Sequence, residues 1–255
     1  MYEQVCYQKS FLKEVIAKID FASPIEKLEK GVPAKLVNTI VKHFPIVEPT
    51  DLIMHELTVD GSSFKPGQPT TSKQWNYYSK DRGQQLTIAS GSVFIHYKNY
   101  TKYEEIKDKF SVVVDALNYT FPGTMASRFG LRYINQIDLH LEDPTEWSTY
   151  IDPKLLSIRD FFSEEDQITR LITIAETKYG DMGVRFQFGM PNPDYPASVK
   201  RPLFVLDLDA SVSQAHDLAE AMTYMDDAHG RIQAIFERSI TQVLREKMDA
   251  KPIQQ

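Results

Sequence analysis

Cysteine is almost absent from this 255-residue chain, with Cys6 standing alone. One thiol excludes an intramolecular disulfide and a zinc site built from cysteines. The six histidines, His43, His55, His96, His140, His216 and His229, form no His-x3-His or His-Glu-x-x-His pair, so no two imidazoles share a helical face as a metal motif requires. Glycine is sparse at 11 residues, and neither a Gly-x-Ser-x-Gly elbow nor a Gly-x-x-x-x-Gly-Lys-Ser/Thr loop occurs. No motif therefore implies a cofactor. No apolar run is long enough to cross a bilayer, so no membrane partner is expected. Polar residues break up Met1–Phe11, which does not read as a secretory signal, and the expected location is the cytoplasm. A basic excess is also missing: 29 Lys and Arg face 35 Asp and Glu, for a net charge of −6. Such a surface repels phosphate backbones on average and argues against a nucleic-acid partner.

What is present is alternation. Val15, Ala17, Ile19 and Phe21 share one parity against Ile16, Lys18 and Asp20, the mark of a strand with one buried face. Leu36, Val37, Ile40, Val41 and Phe44 fall at helical spacing between Pro33 and Pro45. A strand is expected over Leu52–Val59, and the composition of Gly61–Thr71 reads as a loop. Three strands (Trp75–Ser79, Leu86–Ala89, Ser92–Tyr97) and a helix over Tyr103–Thr120 follow. After a strand at Arg128–Leu139 and an irregular crossover at Glu142–Phe162, the pattern returns. Strands at Ile168–Tyr179, Val184–Met190 and Leu203–Ser211 lead into a helix over Asp217–Met248, with Gly230 read as a kink or close contact. Pro191–Pro202 is a second loop by composition. Strands in hairpin order imply an antiparallel sheet. The fold class expected is α+β: one domain with a bent, mainly antiparallel sheet, two related βββα halves (roughly 1–140 and 141–255) and long helices on one side.

Two clusters could carry chemistry. Leu203-Phe-Val-Leu-Asp207-Leu-Asp209-Ala-Ser211-Val212 resembles the first motif of haloacid-dehalogenase-type phosphatases, in which one carboxylate attacks phosphorus and the second moves a proton beside magnesium. That motif belongs at the end of the first strand of a parallel α/β sheet, whereas helix follows it here. Asp207 and Asp209 therefore read as outward positions on an edge-exposed strand, and only as weak metal candidates. In Arg128-Phe-Gly-Leu-Arg132-Tyr133-Ile-Asn135, the two arginines lie on one face about 13 Å apart. They could hold an anion or an acidic partner, or pair across strands with Asp207 and Asp209. Tyr133 and Asn135 take the other face, where buried hydrogen bonds are the simpler role. His229 reads as a core-edge histidine, and Glu237 and Arg238 as a solvated face.

Three segments together resemble a family of uncharacterised prokaryotic proteins of similar length, marked by sporadic distribution. They are Phe11-Leu12-x-Glu14-Val15-Ile16-x-x-Ile19-x-Phe21, the Arg128–Asn135 motif, and His229-x6-Phe236-x3-Ile240-Thr241. The resemblance implies no activity and hence no catalytic residue, and patchy distribution suits mobile or defence-associated genes. The expectation is a non-catalytic binding or interaction protein, an accessory subunit of a defence or toxin–antitoxin-like assembly, working with a protein partner or as a homo-oligomer. The candidate binding residues are Arg128, Arg132, Tyr133, Asn135 and His229. Two alternatives stand beside it: an enzyme or sensor holding a small anionic or nucleotide-derived ligand in the sheet concavity, and a metal-dependent protein that processes nucleic acid.

Overall fold

The computed structural model describes residues 5–54, 57–60, 63–66, 70–98, 100, 102–163 and 167–252. Its centre is a ten-stranded, wholly antiparallel, open sheet. In chain order the elements run β1 (Val5–Tyr7), β2 (Leu12–Phe21), α1 (Lys27–Lys30), α2 (Ala34–Ile40), β3 (Ile46–Met54), β4 (Leu57–Asp60), β5 (Ser63–Pro66), β6 (Thr70–Tyr78), β7 (Gln84–Ala89) and β8 (Ser92–Tyr97). They continue with α3 (Tyr103–Thr120), β9 (Met125–Asp138), α4 (Pro153–Leu156), β10 (Leu171–Tyr179), β11 (Met182–Met190), β12 (Leu203–Val212), β13 (His216–Asp217), α5 (Ala221–Ser239), α6 (Gln242–Lys247) and β14 (Ala250–Pro252).

The strand order is β10-β11-β12-β9-β2-β8-β7-β6-β3, with β13 joined to the start of β9. It reads as a palindrome: β6-β7-β8 lie outside β2 as β10-β11-β12 lie outside β9, and β2 and β9 pair at the centre. Alternation places Val15, Ala17, Ile19 and Phe21 of β2 on one face with Phe129, Leu131 and Tyr133 of β9 and Leu206, Leu208 and Ala210 of β12. The long helices cover that face. α3 buries Ile106, Phe110, Val113, Val114 and Leu117, its expected stripe. α5 packs on β9 and β12 through Met225, Ala228, Ile232 and Ile235. At about 1.5–3 kcal/mol for each large apolar side chain, these two stripes are the main attachment of the helices to the sheet.

Several expectations change. The strand after α2 begins at Ile46 and not at Leu52, since an edge strand accepts Pro49 and the polar residues around it. Residues 55 and 56 lie outside the described residues, and Leu57–Asp60 is a separate strand, β4. The Gly61–Thr71 loop lies partly outside them too; within it, Ser63–Pro66 forms β5, the partner of β4, and β6 starts at Thr70. The final helix is two. Ile240 is extended (φ −113°, ψ 152°) and bridges to Ile151, and the Thr241 hydroxyl caps α6 by accepting from the Leu244 N–H. This turn leaves Val243 exposed, not in the core stripe. Gly230 lies within the unbroken span of α5 and is not a point of close contact; a Cβ there would meet nothing within 4 Å. The crossover after β9 contributes to the core through Trp147, which is fully buried against Phe204.

Candidate functional site

Because side chains alternate along β9, its candidate residues divide between the two faces of the sheet. Arg128 and Arg132 lie on the face away from the helices. Arg132 makes a bidentate contact with Asp207, donating from Nε at 2.8 Å and Nη2 at 2.6 Å. Arg128 reaches Asp209 at 3.5 Å and Asp20 at 3.8 Å, with its guanidinium lying across Gly130; a Cβ on Gly130 would sit 2.7 Å from Nη1. The glycine of the Arg-Phe-Gly-Leu-Arg motif thus makes room for the first arginine. One register row crosses seven strands here: Gln85, His96, Ile16, Arg132, Asp209, Arg185 and Glu176. His96 adds a 2.9 Å contact to Glu14.

Asp207 departs from the outward reading. β12 is an interior strand between β11 and β9, and Asp207 is only 5% exposed, with both carboxylate oxygens taken by Arg132. Burial pushes the Asp209 carboxyl above its usual range, against the pull of Arg128 and Arg132. The Asp-x-Asp pair is engaged by arginines, and its strand is part of an antiparallel sheet, which is not the setting of the phosphatase motif.

Tyr133, Asn135 and His229 meet on the other face. There a cavity of about 420 Å³ opens between β9, the start of α3 and the middle of α5. The Tyr133 hydroxyl lies 2.9 Å from His229 Nδ1 and also bonds with Tyr100. The Tyr103 ring, first residue of α3, stacks on the imidazole at 3.8 Å with an interplanar angle of 1°. Its hydroxyl donates to Asp226 (2.7 Å), whose other oxygen accepts from Lys107 (2.8 Å). The helical spacing of Asp226 and His229 on α5 presents both to Tyr103. Asn135 is buried, and its amide donates to the Leu206 carbonyl at 3.2 Å, which leaves it fixed at the cavity wall.

The far end of the cavity is built from Tyr7, Phe236 and Glu237. Glu237 is 2% exposed, not part of a solvated face: Tyr7 donates to it at 2.6 Å and Arg245 of α6 at 2.9 Å, and Arg245 also holds the Glu237 carbonyl. The break at Ile240 is what turns α6 so that Arg245 reaches back to α5.

Burial sets the protonation states. It lowers His229 to about 4, against the opposing pull of Glu104 and Asp226, so the imidazole is neutral at pH 7. It raises Tyr133 well above the ordinary phenol value, and it raises Tyr103 and Tyr7, with Asp226 and Glu237 adding to the effect. All three phenols keep their protons. The cavity is therefore lined by rings, protonated phenols and a neutral imidazole, together with the acidic residues Glu104, Asp226 and Glu237 and with Lys102.

Sequence reasoning reached Tyr133, Asn135 and His229 but missed Tyr7, Tyr100, Tyr103 and Asp226. The contact between Tyr103 and His229 spans two helices far apart in the chain and leaves no local signal. The helical spacing of Asp226 to His229 was legible, though only as a face of α5. No protein-family model matches the chain, and no curated protein matches it.

Proposed function

We propose that this protein is a non-catalytic binding protein, and that the cavity lined by Tyr100, Tyr103, Tyr133 and His229 takes a small planar organic molecule with hydrogen-bonding edges. The observation that carries this reading is the ring assembly itself. A neutral imidazole stacked on Tyr103 and joined to the Tyr133 hydroxyl leaves aromatic faces and phenolic edges toward a cavity of ligand size. Rings of this kind favour a flat, polarisable ligand over a saturated one. The two groups joined at its centre are not tuned for proton transfer at neutral pH: His229 is held too acidic and Tyr133 too basic. That favours binding over turnover. An anion held by Arg128 and Arg132 is the weaker reading, because both guanidinium groups already contact carboxylates.

Thermal denaturation with adenine, indole and inorganic phosphate as probes separates these readings. A probe that saturates the cavity at about 100 times its Kd adds about 2.7 kcal/mol to stability. We expect adenine or indole to raise Tm and Tyr103→Ala to abolish the gain, while phosphate does nothing. A phosphate-dependent gain that disappears in Arg132→Ala, with no response to either ring compound, would overturn the proposal.

A further inference from the structure

Among the described residues, the main sheet ends in β3 on one side and β10 on the other. The two edges differ. β3 carries Glu48, Pro49 and Asp51, a proline and charges of the kind that discourage further strand pairing. β10 has no proline along its nine residues. Like β3, which exposes Val47, Leu52 and Ile53, it shows apolar side chains at its edge, Ile172 and Ile174 being 42% and 51% exposed. Its charges, Glu176 and Lys178, lie toward its end. Both isoleucines point to the face away from the helices, and their neighbours on β11 are Gly189, which has no side chain, and Gln187. About half of each isoleucine is left open to solvent.

The backbone of β10 is set for another strand. Gly180 (φ 60°) and Asp181 form a two-residue turn, so Tyr179 and Met182 are its closing, hydrogen-bonded pair. Bonding alternates along an antiparallel ladder, so the odd-numbered residues of β10 bond to β11. The N–H and C=O groups of Ile172, Ile174 and Glu176 then face outward.

We propose that β10 pairs antiparallel with β10 of a second copy of this chain, in a register centred on Thr173. This register pairs the exposed groups at the middle of that face and leaves Lys178, at the far end of the strand, opposite Ile168. Ile172 lies opposite Ile174 of the second copy, and Ile174 opposite its Ile172. Arg170 lies opposite Glu176 of the second copy, and Glu176 opposite its Arg170. Arg170 and Glu176 are both exposed; Glu176 comes only within 3.9 Å of Arg185, and Arg170 is steadied at the strand end by stacking on Tyr195 at 3.7 Å. The outward backbone groups of the two isoleucines form the bonded pairs, and Thr173 meets itself across the twofold axis in a close, non-bonded pair. The match is one of charge and shape about a single axis, as a twofold interface requires, and it joins two open sheets into one.

Sedimentation at tens of micromolar tests this. The wild type should be a dimer. Arg170→Glu and Glu176→Arg should each weaken it by about tenfold or more, and the double variant, which swaps the charges, should restore it. Thr173→Cys should give a disulfide-linked dimer under mild oxidation and Thr177→Cys should not, measured against the wild type with its single Cys6. All substituted positions are at the sheet edge, and unchanged circular dichroism confirms that the variants fold. A monomeric wild type, a dimer indifferent to both single charge reversals, or cross-linking through Thr177 rather than Thr173 would overturn the proposal.

Discussion

Removing either member of the Arg132–Asp207 pair breaks the same two hydrogen bonds, yet the two substitutions should cost very different amounts. The Asp207 side chain is 6% exposed and that of Arg132 is 41% exposed. In Asp207→Ala, Arg132 swings its guanidinium into water, and the loss is about 1 kcal/mol, the worth of a half-exposed charged contact. Arg132→Ala leaves a buried carboxylate without its partner, and breaking a buried pair in this way costs about 3–5 kcal/mol. Arg132→Ala should therefore lose about 3–5 kcal/mol, and the double variant should return to within about 1 kcal/mol of Asp207→Ala. Urea denaturation at pH 7 measures all three, provided the slopes agree. If Asp207→Ala is as damaging as Arg132→Ala, burial does not govern this pair and the reasoning fails.

Three further outcomes are expected. Gly189→Ala should be severely destabilising, by more than about 3 kcal/mol: Gly189 has φ +135°, and a Cβ would lie 2.1 Å from the Leu171 carbonyl oxygen, so backbone must move. A melting temperature near that of the wild type would refute this. Gly230→Ala should do the reverse and stabilise by about 0.5–1 kcal/mol, because the position is helical, open and within the reach of ordinary helix propensity; a destabilised variant would mean that Gly230 has a contact after all. Acid should also weaken the fold through His229. Its folded value, about 4, lies below the ordinary 6.5, so the unfolded chain binds the extra proton first. This contribution is fully present above pH 6.5 and is lost as pH falls toward 4, by on the order of 3 kcal/mol in all. His229→Phe should flatten the stability profile in that window, and an unchanged slope would exclude His229 as its source.

Much of the scaffold was legible because burial on one face writes a period into the chain. α3 and β8 have the bounds that their apolar spacing implied, and β2 needed only a short extension at its start. The errors came where that signal is weak. β3 is an edge strand with most of its residues exposed, so its first half carries no alternation to read. At Ile240, a residue as apolar as its helical neighbours leaves the helix to bridge Ile151, a partner far away in the chain.

Local spacing determined that Arg128 and Arg132 share one face of β9 and that Tyr133 and Asn135 share the other. Parity holds along a strand wherever no bulge interrupts it, and the register of β9 against β12 runs without a shift through Arg132, Tyr133 and Asn135. Only the tertiary structure decided what each face meets. The strand order made β12 interior, so Asp207 became a buried partner of Arg132 and not an outward carboxylate. The packing of α3 and α5 over β9 brought Tyr103 onto His229 and His229 to Tyr133, 96 positions away, closing a cavity from residues far apart in the chain. The physical reason is range. Periodicity reports which side of an element is dry, whereas burial depth, ion pairing and a shifted pKa depend on what lies across the gap, and long-range packing supplies that.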